Sequence, residues 1–462
     1  MKLFPSTVVA AALLAAFGAA PLTAGAATPT YSWSTAKIGG TGFVDGMLAH
    51  VGSKGLFYAR TDVGGAYRYD VTTSTWIALN DWLPPALHYA YGVDTIAVDP
   101  NNSSKFYMIG GINFGNGIDN KAVFLSSNDQ GRTFSTLTLP FTTGGNEGGR
   151  QVGERLQVDP TFGSILLYGT ANSTVNASNN GIWKSTDSGQ HWSRLANFNA
   201  LTSDGTGAGV AFIAFKPNAT NGNPSQVIYA GVNTQSAANA KNLIYKSTDG
   251  GNTWAAVSSP AGTGLYPQHG QIGPDGYLYV TFARTTASNP TSAGPGDLTD
   301  GEVWKINVGG GQDQWTNITP QGSSPRPYGF GGLSVDPWRG GWLTVNTSNI
   351  YSGNGQSAET VYRSVDGGVT WSDILAHSTF DATLEPWRAA GGAVTGFGNW
   401  TNTLLDPYDS NHAFVSSGGG IWETKNLSAA STTWTSGDVG IEETAMLDLM
   451  SPTPNVWNAY PL

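Results

Sequence analysis

The fold is decided by a stretch of eight residues, Ser127-Asn128-Asp129-Gln130-Gly131-Arg132-Thr133-Phe134, which recurs in altered form along the chain. The copies keep Ser, Asp, Gly and an aromatic residue at one spacing and occupy 127–134, 185–192, 247–254 and 364–371. This pattern, the Asp-box, is typical of a hairpin turn in which Asp accepts backbone N–H groups and Gly takes a positive φ. A catalytic site is needed once, whereas this motif repeats. We therefore interpret the aspartates as structural and not as catalytic or calcium-binding.

The four Asp-boxes belong to a longer repeat that covers most of the chain. Each repeat contains short apolar strands and closes on an aromatic residue, and the closing residues are Trp76, Phe134, Trp192, Trp254, Trp315, Trp371 and Trp434. Successive closing residues are 56 to 63 positions apart. Seven units of this length with about four strands each predict an all-β fold, a seven-bladed β-propeller with Asp-box hairpins.

Composition and charge narrow the function. Cysteine is absent, which excludes disulfides, Cys metal sites and Cys nucleophiles. The formal net charge of −10 disfavours nucleic acid and polyanionic ligands. With 16 Trp, 18 Tyr and 18 Phe, the chain is suited to a neutral sugar ligand, since sugar rings pack on aromatic faces. The six His lack metal-ligand spacing, so we expect no metal and no cofactor.

The N-terminus has the pattern of an export signal. Lys2 precedes the apolar stretch 7–20, which is too short to span a bilayer, and Ala24-Gly25-Ala26 fits a cleavage site. The sequence therefore predicts a signal peptide over 1–26 and a secreted protein, extracellular or periplasmic, with no membrane association after cleavage. The propeller is expected over 27–440.

One turn in the first repeat differs from the others. It reads Arg60-Thr61-Asp62-Val63-Gly64-Gly65-Ala66-Tyr67-Arg68. In a propeller blade the loop between the second and third strands opens onto the face with the central pocket, so Asp62 is expected to point towards that pocket. Its position alone allows two interpretations. Asp62 is either a general base held ionised beside Arg60 and Arg68, or a satisfied ion pair.

Residues 60–68 resemble the characteristic motif of glycoside hydrolase family 74, the xyloglucanases and related β-1,4-glucanases. Further resemblances lie at Ile38-Gly39-Gly40, Gly92-Val93-Asp94, Gly149-Arg150, Gly153-Glu154-Arg155-Leu156, Tyr328-Gly329-Phe330-Gly331-Gly332-Leu333 and Gly440-Ile441-Glu442-Glu443-Thr444-Ala445. The resemblance implies inverting hydrolysis of a neutral β-1,4-glucan such as xyloglucan, in a cleft between two propellers. It implies that Asp62 is the general base and that a second carboxylic acid protonates the leaving oxygen.

The sequence departs from the family where that second acid is expected. In the family it lies in a Gly-Asp-x-Gly-Gly motif of the second propeller. The nearest match here, Gly437-Asp438-Val439-Gly440, has Ile441 in place of the second glycine and precedes Glu442. We expect 441–462 to be the truncated start of a second propeller with a divergent tail, and the general acid to be absent from the chain. We therefore expect the chain alone to have little or no hydrolytic activity. A truncated family member and a one-propeller descendant remain alternative explanations.

Other candidate residues come from the aromatic and charged positions. Trp82, Tyr91 and Trp400 are candidates for substrate binding, with packing between blades as the alternative. Arg150, Glu154 and Arg155 are expected to form a buried ion-pair network. Two rival functions remain. One is a sialidase-like Asp-box glycosidase, disfavoured by the acidity and by the absence of an Arg-Ile-Pro opening. The other is a non-catalytic glucan-binding propeller.

Overall fold

In the first six repeats, four short strands pair in chain order to form an antiparallel sheet, and the seventh sheet has a fifth strand, Thr379–Asp381, that pairs in parallel with Thr433–Ser436. A computed structural model describes the residues of this fold in the ranges 39–112, 121–146, 150–171, 177–201, 208–220, 222–233, 243–258, 265–285, 298–309, 314–320, 328–348, 359–389 and 402–443. They lie within one compact unit, Ile38–Leu462. The predicted signal peptide and Trp400 lie outside the described residues.

The described residues form seven sheets in all, six with four strands and one with five, and these sheets are the blades. Blades one to three consist of β1 (Val44–Ala49), β2 (Phe57–Thr61), β3 (Ala66–Asp70), β4 (Thr75–Ala78), β5 (Val93–Asp99), β6 (Asn102–Gly110), β7 (Val123–Ser127), β8 (Ser135–Thr138), β9 (Leu156–Val158), β10 (Leu166–Gly169), β11 (Ile182–Ser185) and β12 (Ser193–Arg194). Blades four and five consist of β13 (Gly209–Phe215), β14 (Ile228–Asn233), β15 (Ile244–Ser247), β16 (Ala255–Val257), β17 (Leu265–Ile272), β18 (Tyr277–Thr285), β19 (Leu298–Asn307) and β20 (Trp315–Asn317). Blades six and seven consist of β21 (Gly329–Val335), β22 (Leu343–Ser348), β23 (Val361–Ser364), β24 (Ser372–Asp373), β25 (Thr379–Asp381), β26 (Asn402–Asp406), β27 (Asp409–Ser417), β28 (Gly420–Thr424) and β29 (Thr433–Ser436).

This architecture confirms the predicted all-β, seven-bladed propeller. Short 3-10 helices occur at Pro85–Tyr91, Ala177–Asn179 and Pro386–Ala389. Apolar side chains fill the spaces between neighbouring blades. Tyr58 of blade one, for example, stacks on Phe106 of blade two with ring centroids 4.4 Å apart. Among the residues that the structure describes, no helix has the length and apolar character needed to cross a membrane.

The Asp-boxes form the turns between the third and fourth strands of their blades. In the first copy the Ser127 hydroxyl donates to Asp129 at 2.7 Å and accepts from the Gly131 N–H at 2.8 Å. Gly131 has a φ of 83°. Hydrogen bonds, foremost from the Thr133 side chain, lower the pKa of Asp129 to about 2. The aspartate therefore holds the turn together through groups of its own hairpin.

The ring closes beside blade one, where the segments 39–43 and 437–443 meet. Thr41 and Glu442 form a parallel bridge, and the Glu443 N–H donates to the Thr41 carbonyl at 2.8 Å. The Trp76 indole donates to the Gly437 carbonyl at 2.6 Å. Residues about 400 positions apart thus fix the relative position of the first and last blades.

The innermost strands surround a cavity of about 520 Å³ on the propeller axis. Apolar side chains such as Ile96, Leu156 and Leu333 form much of its wall. Glu154 and His269 also line it. Burial lowers the pKa of His269 to about 4, and its Nε2 lies 2.7 Å from the Gln151 carbonyl oxygen. His269 is therefore neutral and held in place, which suits a structural role.

Candidate active site

Asp62 lies immediately after β2, in the turn that leads to β3. Because β1 and β2 are antiparallel and Val44 pairs with Thr61, this turn is at the end of the blade where β1 begins. The Thr61 N–H donates to the Gly65 carbonyl at 2.9 Å, and Gly65 has a φ of 112°. The Asp62 N–H donates to Phe43 at 3.3 Å, and the residue is only 6% exposed. The turn lies between the second and third strands, as the sequence predicts. Asp62 is not among the residues that line the axial cavity, so its expected direction towards that pocket is not confirmed. The catalytic role of Asp62 stays a prediction.

The cation beside Asp62 is Arg150 and not one of its sequence neighbours. Arg150 Nε is 3.7 Å from Asp62 Oδ2 and 3.8 Å from Asp45 Oδ1. Arg60 forms a 2.7 Å ion pair with Glu154, and Arg68 donates to the Gln130 carbonyl at 2.8 Å. The expectation that Arg60 and Arg68 flank the Asp62 carboxyl is therefore wrong. The strand ends at Thr61, so the period of two that would place residues 60 and 62 on one face is lost.

Asp45 is a second carboxyl at this site, and the sequence analysis missed it. It is in β1, its side chain is fully buried, and it lies 3.8 Å from Arg60. Burial raises the pKa of Asp45 well above its usual range, although Arg60 opposes the shift. The sequence does carry a signal for Asp45, because it is a lone carboxyl in an apolar strand. Asp is almost never fully buried without a partner, so such a position indicates a nearby cation or hydrogen-bond donor.

Glu443 is the third carboxyl, and it comes from the segment that closes the ring. Its side chain is in hydrogen-bonding contact with the Asp62 carboxyl. Burial, followed by this contact, raises the pKa of Glu443 to about 8. Glu443 is part of a quoted family motif, but no local pattern brings position 443 to position 62.

Arg150, Glu154 and Arg155 each form ion pairs, as predicted, but with other partners and not with one another. Glu154 accepts from Arg60, from the Thr95 hydroxyl at 2.6 Å and from the Ile96 N–H at 2.9 Å. Arg155 forms a 2.7 Å ion pair with Asp94. These contacts join blades one, two and three near the turn that carries Asp62.

Comparisons with known proteins identify the family. No family model matches the chain. It is 35% identical to a xyloglucanase of a Paenibacillus species, over 98% of this chain and 45% of the relative. It is 34% identical to the xyloglucanase Xgh74A of Acetivibrio thermocellus, over 98% of this chain and 56% of the relative. The crystal structure of the family 74 xyloglucanase from Xanthomonas campestris superposes with a TM-score of 0.79 and 37% identity, over 92% of this chain and 58% of that one. The chain belongs to glycoside hydrolase family 74.

This family 74 chain spans about half the length of the relatives that it matches. The covered share is 45% and 56% for the two curated relatives. For the family 74 enzyme of Niastella koreensis, with a TM-score of 0.76 and 37% identity, the alignment covers 89% of this chain and 56% of that one. The shared length is therefore that of one propeller.

The look-alike acid of this family 74 chain, Asp438, is buried in the ring closure. It contacts the Thr41 hydroxyl and forms an ion pair with Arg388. Glu385 is beside them, and burial followed by a hydrogen bond with Asp438 raises the pKa of Glu385 to about 9. Asp438 is completely shielded from solvent. The stretch 437–440 thus serves the contact between blades seven and one.

The aromatic candidates of the family 74 propeller lie on the segment that joins β4 to β5. Trp82 stacks on Phe134, with ring centroids 5.9 Å apart, and keeps 46% of its surface exposed. Tyr91 is half-buried, and its hydroxyl donates to the Asp81 carbonyl at 3.2 Å. One face of Trp82 is therefore used between blades, while the rest is open to solvent. Sugar binding by either residue stays a prediction.

Proposed function

We propose that this chain carries the general-base half of an inverting xyloglucan-hydrolysing site, in which Asp62 activates the attacking water. The relatives named xyloglucanase support this substrate class. Export supports it as well, because such a polymer lies outside the cell. We base export on the signal pattern of 1–26, and N-terminal sequencing of the secreted chain tests it by the presence of Ala27 as the first residue.

The observation that carries the proposal is the state of the Asp62 carboxyl. Its Oδ2 lies 3.7 Å from the Arg150 Nε, so a positive charge stands beside the carboxyl group. Apart from the Glu443 carboxyl, no group of the described residues donates a hydrogen bond to Asp62 Oδ1. This oxygen is buried, and it can accept a proton from a water molecule that reaches the turn together with the substrate.

The described carboxyls around Asp62 do not suit the role of general acid. Inversion requires the two carboxyl groups to be about 6.5–9.5 Å apart, with water and the glycosidic bond between them. Glu443 contacts Asp62 directly, and the Asp45 side chain is fully buried. We therefore propose that none of the described carboxyls is the general acid and that a second propeller supplies it. On this proposal the chain alone releases little or no reducing sugar from xyloglucan.

An activated substrate separates the two halves of the chemistry. An aryl β-glycoside of a xyloglucan oligosaccharide has a leaving group that departs without protonation. We expect the purified chain to hydrolyse it, and Asp62→Asn to lower that rate by about 10²–10⁴-fold. Asp70→Asn, at the opposite end of the same blade, is the matched control and should keep the rate.

Two outcomes would contradict this assignment. Rapid cleavage of natural xyloglucan by the chain alone would show that a general acid is present. Equal rates for the wild type and Asp62→Asn on the activated substrate would remove Asp62 from the mechanism. Binding of xyloglucan oligosaccharides without any Asp62-dependent turnover would favour the glucan-binding propeller.

A further inference from the structure

The Glu443 carboxyl group is held against the turn that carries Asp62. Its Oε2 accepts the Gly64 N–H at 3.0 Å, and its Oε1 accepts the Phe43 N–H at 3.4 Å. The same carboxyl contacts the side chains of Thr61 and Asp62. Glu443 thus touches the backbone of the turn at Gly64, the backbone of the segment before β1 at Phe43, and the Asp62 carboxyl itself.

Two glycines make the space that Glu443 occupies. A Cβ at Gly42 or at Gly64 would come within 2.7 Å of the Glu443 Cβ, which is closer than real Cβ atoms approach. Neither glycine has a positive φ, so backbone conformation does not require them. Close packing against Glu443 is the physical reason for glycine at both positions.

The backbone of Glu443 is fixed independently of its side chain. Its N–H donates to the Thr41 carbonyl at 2.8 Å, and the adjacent Glu442 forms the bridge with Thr41. The Glu442 carboxylate also accepts the Gly39 N–H at 3.1 Å. Because both its backbone and its carboxyl are held, Glu443 offers a rigid support for the turn.

The charges around Glu443 favour one proton between the two carboxyls. Asp45 from β1, Asp62 from the β2–β3 turn, Tyr67 from β3 and the adjacent Glu442 surround it, and the nearby cations are Arg60 and Arg150. Burial and the contact with Asp62 raise the pKa of Glu443 to about 8. Near neutral pH, Glu443 is therefore protonated and donates a hydrogen bond to the Asp62 carboxylate.

We infer that Glu443 is the positioning residue of Asp62, because its carboxyl group holds both the Asp62 carboxylate and the Gly64 N–H of the same turn. The inference rests on the proposed function of Asp62. Glu443 itself is not expected to touch substrate. It fixes the direction in which the base faces, and its deprotonation places a second negative charge against that base.

The pH dependence of turnover tests this inference with the activated aryl glycoside. The wild type should lose turnover as the pH rises through about 8. Glu443→Gln keeps a donor and an acceptor without titrating, so it should retain the rate at pH 6 and lose this alkaline decline. Glu443→Ala should lower kcat by about 10²-fold with little change in KM, because the base is misplaced. Asp70→Asn, at the opposite end of blade one, is the matched control and should keep the wild-type profile.

A second measurement needs no turnover. The stability difference between the wild type and Glu443→Gln is followed against pH by thermal unfolding. The contribution of Glu443 is fully present below about 4.5, its unfolded pKa, and is lost as the pH rises through about 8. In an Asp62→Asn background this loss should move to lower pH, because one cause of the raised pKa is gone.

The two failures can be distinguished. An identical pH midpoint in both backgrounds, or an unchanged alkaline decline in Glu443→Gln, overturns the role of Glu443 even if Asp62 is catalytic. If the pH midpoint of Glu443 shifts in the Asp62→Asn background but turnover does not depend on Asp62, the proposed function is overturned. The contact by which Glu443 supports Asp62 is then still confirmed.

Discussion

At the scale of single residues, one cation of the site, Arg150, lies between two carboxyl groups, those of Asp62 and Asp45. Arg150 Nε lies 3.7 Å from Asp62 and 3.8 Å from Asp45, and its guanidinium is 4.7 Å from the centre of the Phe43 ring. Removing it would leave two buried carboxyls close together. With Asp62 as the proposed general base, we expect the rate of hydrolysis to depend on the charge at position 150.

We predict that Arg150→Met lowers the rate on the activated glycoside by about tenfold or more, because the Asp62 carboxyl loses the positive charge that lies 3.7 Å from it. Arg150→Lys keeps the charge and should recover part of the rate. Arg132→Met, which removes an exposed cation of an Asp-box, is the control. An unchanged rate in Arg150→Met would show that the cation is structural only.

The sequence predicts some of these residues and not others, for a physical reason. Asp62 is recognisable because a local motif surrounds it, and the ion pairs of Glu154 and Arg155 follow from buried charges needing partners. Arg150 was assigned to a network with them, but its position beside Asp62 was not foreseen. The contact with Glu443 is also missing from the sequence reading, since it joins positions about 380 residues apart in the chain. Side-chain direction at the end of a strand and long-range pairing are set by tertiary packing.

At the scale of elements, the hairpin turn is the most predictable part of the molecule. All its groups lie within eight residues, so spacing alone determines which atoms meet. In the third copy, the buried Ser247 hydroxyl donates to Asp249 at 2.8 Å and accepts the Gly251 N–H at 2.8 Å. The Trp254 indole then donates to the Gly251 carbonyl at 3.0 Å.

This geometry predicts the effect of a single hydroxyl. Ser247→Ala leaves the buried Gly251 N–H without its acceptor and should lower the free energy of unfolding by about 1–3 kcal/mol. Thr248→Ala, at the adjacent exposed position, should change it by less than about 0.5 kcal/mol. Urea unfolding measures both. Equal losses in the two variants would remove the special role of the motif, and Asp62-dependent turnover should survive in each.

At the scale of the whole molecule, the repeat count predicts the ring but not how it closes. Blade seven meets blade one through His412, which lies between Asp406 at 2.7 Å and Glu423 at 2.8 Å, with the Phe57 ring 5.6 Å away. Burial alone would lower the pKa of His412, but its hydrogen bonds with Asp406 and Glu423 outweigh burial and raise it to about 9. Glu385, in the same contact, has a pKa raised to about 9 by burial and by Asp438.

Both raised values have the same consequence for stability. A group whose folded pKa exceeds its unfolded value binds more protons in the native state, so stability falls as the pH rises between the two values. For His412 this window runs from about 6.5, its unfolded value, to about 9, and for Glu385 from about 4.5 to about 9.

We predict that the free energy of unfolding decreases by on the order of 1–3 kcal/mol between pH 7 and pH 10. Urea unfolding across this range measures it. His412→Gln should flatten the decline, whereas His191→Gln, at an exposed Asp-box position, should leave it unchanged. A wild-type stability that is constant up to pH 10 would mean that the ring is held closed without these protons.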